Sequence, residues 1–243
     1  MARVCVDSTY FNVDDSGQLT IKPGSIGYQT TVTVNGDLVP LNFQIADYPG
    51  AAWVFVECIG AGGGGAGAQD LTASTGIAQG GGSGGTYCAS WLLASSLPPI
   101  VPVAGGNGGS GGVFNAAGGN GGQSSFGTLV VAPGGLGATV VMLASTTTGI
   151  GKGAASPGAG TGQIRRIGQP GGHAVMVGAF HKIGGHGGAS GWPGAGGRGG
   201  TNNEAGESGQ TFAGGGGGGA AAFNGGWTGG SGGDGAVRIS INN

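Results

Sequence analysis

Short segments in which apolar and polar residues alternate lie along most of the chain, and this spacing predicts β-strands rather than helices. Residues Trp53–Ile59 form the strongest such segment, and it leads directly into Gly60. Upstream, Tyr28–Val34 ends at an Asn-Gly pair, which favours a tight hairpin turn, and Leu38–Ile45 is the expected return strand. Pro40 should place that return strand at a sheet edge, because proline cannot donate a ladder hydrogen bond.

Downstream of Gly60 the strand-like segments are separated by glycine runs. These segments are predicted as strands at 86–91, 100–103, 126–131, 139–143, 174–177 and 236–241. Their order along the chain resembles that of a packed domain rather than of a flexible glycine linker.

The glycine runs repeat with a period of three residues. The pattern Gly-Gly-x-Gly-Gly occurs at 81–85, 105–109, 108–112, 118–122, 184–188, 196–200 and 229–233. Three residues per turn is the period of the polyproline-II helix, which makes no internal hydrogen bonds. Each backbone group must therefore find a partner in another segment. We expect parallel and antiparallel glycine helices to pack side by side and to satisfy one another's amides.

Composition sharpens this picture. Glycine accounts for 66 of 243 residues, only 7% of residues are charged, and the formal net charge is −2. A helical bundle is excluded because each glycine costs a helix about 1 kcal/mol relative to alanine. The low and scattered positive charge also speaks against nucleic-acid binding. Residues 71–151 carry no Asp, Glu, Lys, Arg or His, as expected where a charge could not be paired.

The predicted fold is therefore all-β plus irregular structure with almost no α-helix. Only five glycines precede Gly60, so we divide the chain into an N-terminal β module for attachment or oligomerisation at 1–51 and a polyglycine-II sandwich at 52–243. No apolar run is long enough to span a membrane, and the first residues do not form a secretory signal. The three cysteines are far apart and are expected to be reduced and mostly buried.

Four segments, in order, resemble the glycine-rich domains of bacteriophage tail-fibre adhesins and minor tail proteins. The first is the strand at 53–59 with the Gly-Ala-Gly-Gly-Gly-Gly that follows, and the second is Leu97–Gly106. Gly121–Gly127 and the closing segment Gly232–Ile241 complete the set, which covers 52–243. Residues 136–183 depart from the family pattern, because they are long and only moderately rich in glycine.

The resemblance implies a polyglycine-II sandwich whose distal loops recognise the host surface. It implies a non-enzymatic virion component, made in the host cytoplasm and located in the tail fibre or tail tip. Its partners would be other phage tail proteins, bound through the N-terminal module, and a glycan or protein receptor on the host cell. A homotrimer is expected, since tail fibres are commonly trimeric, and neither nucleic-acid binding nor membrane insertion is expected.

Aromatic and amide residues between glycine runs are the candidates for receptor contact, because aromatic anchors with amide neighbours suit sugars and proteins. The alternative is that the aromatic residues seal the ends of the bundle and that the polar ones lie in solvated loops. The candidates are Trp192, Asn202, Asn203, Glu204, Phe212, Phe223, Asn224 and Trp227.

The sequence gives little support for a metal site, a phosphate-binding loop or a catalytic site. His173, His181 and His186 lack the spacing and partners of a metal site, so no metal or other cofactor is expected. No Gly-Lys-Ser/Thr follows a glycine run, and nothing marks a catalytic nucleophile. Two alternatives to an adhesin stay open: a purely structural tail protein, and an ice-binding protein. The latter would need a flat face of small residues, whereas the third positions of these runs are irregular.

Overall fold

The computed structural model describes residues 11–13, 19–21, 30–35, 41–70, 76–140, 148–178, 181–192, 194–210, 215–218, 220–221 and 225–242. Within these ranges the regular structure is almost entirely β-strand, with two short 3-10 turns at Ile45–Asp47 and Ala94–Ser96 and no α-helix. The prediction of an all-β fold with almost no α-helix is confirmed.

Eighteen strands follow one another along the described chain. They are β1 (Phe11–Val13), β2 (Leu19–Ile21), β3 (Thr30–Asn35), β4 (Leu41–Gln44), β5 (Trp53–Ile59), β6 (Ala68–Asp70), β7 (Ile77–Ala78), β8 (Tyr87–Leu93), β9 (Ile100–Ala104), β10 (Ser124–Phe126), β11 (Val130–Ala132), β12 (Thr148–Gly151), β13 (Ile164–Arg166), β14 (Ala174–Val177), β15 (His181–Ile183), β16 (Ala220–Ala221), β17 (Gly225–Trp227) and β18 (Ala236–Asn242).

Two antiparallel sheets pack face to face at one end of the molecule. One has the strand order β13-β8-β5-β18-β3, and the other has the order β11-β10-β9-β4. Alternate residues of β5 point into the space between the sheets, which explains the apolar alternation of this strand. The core of this β-sandwich consists of Phe43, Val54, Val56, Cys58, Cys88, Ala94, Val101, Val103, Phe126, Val130, Ala132, Val237, Ile239 and Ile241.

Two sequence predictions about strands are wrong. The segment 126–131 is not one strand but the centre of a hairpin, in which β10 and β11 pair around a turn with Gly127 at φ 53°. Among the described residues, the hairpin expected between β3 and β4 is replaced by pairing in two different sheets, β3 with β18 and β4 with β9. The strand after Pro40 does lie at a sheet edge, as predicted. Part of the predicted strand at 139–143 lies outside the described residues.

Strands from the predicted N-terminal module are hydrogen-bonded to strands of the glycine-rich body. Along β3, Val32 is the register partner of Ile239, and along β4, Phe43 is the register partner of Val101. The division of the chain between residues 51 and 52 stays a prediction, but the two parts share both large sheets.

Beyond the sandwich, run 60–67 lies at the centre of a hexagonal arrangement of glycine helices. Its consecutive amides point to three different neighbours: Gly62 donates to Gly233, Gly63 to Ser83 and Gly64 to Gly119. Three residues later, Gly65, Ala66 and Gly67 return to the same three neighbours through Gly230, Gly80 and Ala116, with N···O distances of 2.9–3.2 Å. A repeat every third residue is the hydrogen-bonding pattern of a threefold helix, and it confirms the predicted polyglycine-II packing.

The carbonyl groups of the same run accept hydrogen bonds from three further neighbours. Gly109 and Gly112 donate to Gly62 and Gly65, Gly135 and Ala138 donate to Ala61 and Gly64, and Gly216 donates to Gly63. Run 60–67 therefore has six hydrogen-bonded neighbours and is completely buried.

Runs 79–86 and 215–218 are surrounded in the same way, and each contacts the other as well as run 60–67. Around these three inner runs, the described residues form a ring of nine outer ones. In order around the ring they are 105–112, 116–122, 133–138, 152–159, 168–172, 184–191, 194–200, 204–210 and 228–235. Three helices in contact have nine neighbours in a hexagonal lattice, so the ring closes without a gap.

The outer runs show a period of three in their burial. In run 105–112, Gly106, Gly109 and Gly112 are buried, whereas Asn107 and Ser110 are exposed. Where an amide of an outer run points out of the lattice, no backbone carbonyl lies opposite it. A polar side chain of an adjacent run accepts its hydrogen bond instead. Asp234 Oδ1 accepts from Gly108 at 2.7 Å, Ser231 Oγ from Gly111 at 3.3 Å, and Asn120 Oδ1 from Gly137 at 2.8 Å.

Candidate functional site

The bundle has two different ends. The strands of the β-sandwich lead into or out of the runs at one end. At the other, three small antiparallel sheets join the runs: β12-β14-β15, β6-β17 and β7-β16. We call this second end the distal end. Turns 113–115 and 201–204 lie there too, because Asn115 hydrogen-bonds to Gln69 and Asn202 to Lys182.

An exposed apolar row crosses the distal sheet β12-β14-β15. Ile150 is the register partner of Val175, which is the partner of Ile183, and Ile183 forms an isolated bridge with Thr201. Ile150 is 62% exposed, Val175 46% and Ile183 52%. Register partners on adjacent strands share one face of a sheet, so the three side chains form a continuous strip. Val177, 58% exposed, adds to the same face one row away. We call Ile150, Val175, Val177 and Ile183 the distal face.

The opposite side of this sheet anchors it to the bundle. Met176 and Lys182 are 2% and 1% exposed, and each lies one residue away from the distal face along its strand. The stem of Lys182 passes so close to Gly76 that a Cβ there would lie 1.8 Å from Lys182 Cε. Burial lowers the pKa of Lys182, and the nearby carboxylate of Asp70 opposes that shift. The distal face is thus held on a fixed base.

A polar turn borders the distal face at Thr201. Asn202 and Asn203 adopt left-handed backbone conformations with φ of 27° and 68°, which asparagine tolerates better than most residues. Asn202 fastens the turn to β15, because its Oδ1 accepts from the Lys182 amide at 2.9 Å and its own amide donates to Lys182 O at 3.2 Å.

Glu204 closes the same turn. Its Oε2 accepts from the Thr201 hydroxyl at 2.7 Å and from the Thr201 amide at 3.1 Å, and it lies 3.7 Å from Arg198 Nη2. The Thr201 hydroxyl, the Thr201 amide and the Arg198 charge together hold the pKa of Glu204 below its usual value. Arg198 also pairs with Glu207 at 3.1 Å. The turn therefore presents amide and carboxylate groups in a fixed geometry beside an apolar strip.

The structure does not bring the two described tryptophan candidates together. Trp192 lies at the sandwich end, where its indole stacks on the ring of Tyr87 with centroids 4.8 Å apart. Trp227 lies at the distal end and packs against Ala68 and Ile77. Both rings are partly buried, one at each end of the bundle.

The other candidates divide between the distal end and the undescribed residues. Asn202, Asn203 and Glu204 lie together in the distal turn, whereas Phe212, Phe223 and Asn224 lie outside the described residues. Of the three histidines, His173 has a structural role, since its Nδ1 accepts the Gly153 amide hydrogen at 3.1 Å.

Sequence reasoning missed the distal face. Its residues come from three strands, of which β12 and β14 are separated by two glycine runs with β13 between them, so no local motif marks them. The one available signal was alternation in β14, which predicted the strand correctly but not which of its two faces would be exposed.

Comparison with known proteins identifies the glycine-rich part of the chain. A family model described as a glycine-rich domain matches residues 41–242. A search of curated proteins finds no match. Among the described residues, neither short helical turn approaches the length and apolar character of a membrane-spanning helix.

Proposed function

The chain belongs to this glycine-rich domain family, and from its two-ended architecture we propose that it is a host-attachment protein of a bacteriophage tail. In this proposal the sandwich end binds the tail, and the distal end contacts a receptor on the bacterial surface. The protein acts by reversible binding and catalyses no reaction.

The observation that carries the proposal is the separation of the β-sandwich at one end from an exposed distal face at the other. Strands β3 and β4, which come from the N-terminal part of the chain, are built into the β-sandwich. A run of eight residues at 3.1 Å per residue spans about 25 Å, and the closed lattice makes that spacer stiff. Attachment through the N-terminal part would therefore direct the distal face outward.

The chemistry of the distal end suits recognition of another molecule. Val175 and its neighbours form an apolar strip, and the turn containing Asn202 and Glu204 supplies polar groups at one border. An apolar patch with a polar rim is the usual composition of a binding surface. Three copies on one fibre would raise the avidity of a weak single contact.

Adsorption of phage particles that carry substituted protein tests the proposal. We expect Val175→Asp to slow adsorption to a susceptible bacterium at least tenfold, because a carboxylate would interrupt the apolar strip. The matched control is Ile164→Asp on β13, which is 44% exposed at the sandwich end and should adsorb normally. Both variants should be incorporated into particles and keep the melting temperature of the natural protein.

The same experiment addresses the structural alternative. If particles with Val175→Asp adsorb at the normal rate, the distal face has no part in attachment and the protein is a structural tail component. If labelled antibodies do not find the protein on tails, the virion assignment itself is wrong. An ice-binding role is not favoured, because outer-ring side chains such as Ser231 and Asp234 are engaged by lattice amides.

A further inference from the structure

Two outer runs of the lattice contain an asparagine that is followed directly by glycine. These Asn-Gly pairs lie at 107–108 and 120–121, and both asparagines are exposed. Asn-Gly is the dipeptide that loses its side-chain amide most readily in a flexible chain, because glycine has no Cβ to shield the backbone nitrogen that attacks the side chain. Each pair is therefore a site of spontaneous deamidation unless the fold restrains it.

Deamidation begins at the amide nitrogen of the glycine. At the first pair, Gly108 N would form a bond to Asn107 Cγ while the bond from Cγ to Nδ2 breaks. The leaving nitrogen takes up the proton of the Gly108 amide and departs as ammonia. Water then opens the resulting succinimide at one of its two carbonyls, which yields aspartate or isoaspartate. The nitrogen can attack only after its own hydrogen bond has been broken and it has turned toward Cγ.

Isoaspartate at position 107 would disturb the lattice. It adds one carbon atom to the main chain and so displaces the third-residue repeat of the run that contains it. Lattice bonds are made on both sides of the pair: before it, Gly106 O accepts from Gly235 N at 2.8 Å, and after it, Gly109 N donates to Gly62 O at 2.9 Å. A lengthened main chain could not keep both bonds in register, so protection of the pair preserves the bundle.

The glycine amides of the two pairs are held by different kinds of acceptor. Gly121 N donates to a backbone carbonyl, Gly135 O, at 2.9 Å. Gly108 N donates instead to a side chain of the adjacent run, Asp234 Oδ1, at 2.7 Å. A carboxylate is a stronger acceptor than a neutral carbonyl oxygen. The restraint on Gly108 therefore depends on one side chain, which a substitution can remove while the backbone stays the same.

We propose that Asp234 protects the Asn107–Gly108 pair from deamidation by holding the Gly108 amide in the lattice. Attack on the side chain requires this charge-assisted bond to break and the run to leave its threefold-helix conformation. Asp234 thus keeps a reactive site latent in an exposed row of the bundle. The proposal is independent of the attachment function, because it concerns the chemical lifetime of the folded chain.

Peptide mass spectrometry of the full-length folded chain, incubated at mildly alkaline pH, tests the proposal. The readout is the rate of deamidation at Asn107 divided by that at Asn120 in the same sample, which corrects for any general loosening of the bundle. We expect Asp234→Ala to raise this ratio about tenfold, because a charge-assisted hydrogen bond is lost. The matched control is Ser231→Ala. It removes the acceptor of the Gly111 amide between the same two runs, at 3.3 Å, and should leave the ratio unchanged.

Asp234→Ser provides a second, milder variant that decides the question if the alanine variant does not fold. Since Ser231 reaches an amide of the neighbouring run from the same row, serine at position 234 should keep part of the restraint and give a ratio between those of the natural protein and Asp234→Ala. Three results would overturn the proposal: the natural ratio in both Asp234 variants, an equal rise in Ser231→Ala, or deamidation of Asn107 in the natural folded protein as fast as in urea.

Discussion

Gly65 and Gly217 lie so close together that a Cβ on Gly65 would be 1.4 Å from the Gly217 carbonyl oxygen. The neighbour is backbone in an inner run, so it cannot move aside as a flexible side chain would. We expect Gly65→Ala to lower the free energy of unfolding by about 3 kcal/mol or more, measured by urea denaturation.

Gly158→Ala is the matched control for this substitution. Gly158 lies in the outer ring, and the nearest atom to an added Cβ is Pro133 Cγ at 3.9 Å, an ordinary contact. Alanine there should be neutral or stabilising by about 0.5 kcal/mol, because it reduces the entropy of the unfolded chain. Equal effects of the two substitutions would show that the inner runs are not closely packed.

Ser124 joins the sandwich to the lattice through a buried hydroxyl. Its Oγ accepts from the Gly106 amide at 3.0 Å and donates to Ile59 O at 2.6 Å. Ser124→Ala would leave two buried backbone groups without their partner, at a cost of about 3 kcal/mol in the free energy of unfolding. Ser125→Ala, on the neighbouring partly exposed serine, should change stability by less than about 0.5 kcal/mol. A loss of similar size in both variants would contradict the bridging role.

The distal turn should respond to acid through Glu204. Because the pKa of Glu204 is lowered in the folded protein, its ionised carboxylate stabilises the turn. This stabilisation is present above about pH 4.3, the pKa of glutamate in an unfolded chain. It is lost as the pH falls through the lower folded-state pKa. We expect the Thr201 amide proton shift to titrate with a midpoint below that of an unstructured glutamate. Thr201→Val removes the hydroxyl bond and should raise the midpoint, whereas an unchanged midpoint would contradict this account.

The two described cysteines should be unreactive in the folded protein. Cys58 and Cys88 are register partners with no exposed surface, and burial raises the pKa of both thiols. Since the thiolate is the nucleophile, iodoacetamide at pH 8 should alkylate neither residue until the chain is unfolded in guanidinium. Peptide mass spectrometry distinguishes them from Cys5, and rapid native alkylation of Cys58 would contradict its placement.

Sequence reasoning predicted the lattice well because its cause is local. The third-residue repeat in segments such as 81–85 and 105–109 determines the helix type. The absence of charge in 71–151 is a poorer guide to burial, because Trp91, Val113 and Ile150 within it are exposed. Sequence reasoning did not identify the inner runs. Two of them, 60–67 and 215–218, contain four consecutive glycines, whereas outer runs such as 105–112 carry a larger residue at every third position.

The sequence pattern also did not predict which strands pair when they lie far apart along the chain. The Asn-Gly pair after β3 favoured a local hairpin, but β18, about two hundred residues later, offers a longer apolar partner and forms the sheet instead. The candidate site was predicted only in its polar part. Asn202 and Glu204 lie in a contiguous turn, whereas Ile150, Val175 and Ile183 meet only through folding.

Through-hydrogen-bond NMR couplings between amide nitrogens and carbonyl carbons test the central claim most directly. Three consecutive residues of the innermost run should couple to three different segments: Gly62 to Gly233, Gly63 to Ser83 and Gly64 to Gly119. A pleated strand alternates between at most two neighbours, so this threefold pattern distinguishes the lattice from a sheet. Couplings that alternate between two segments, or none at all in run 60–67, would contradict the polyglycine-II bundle.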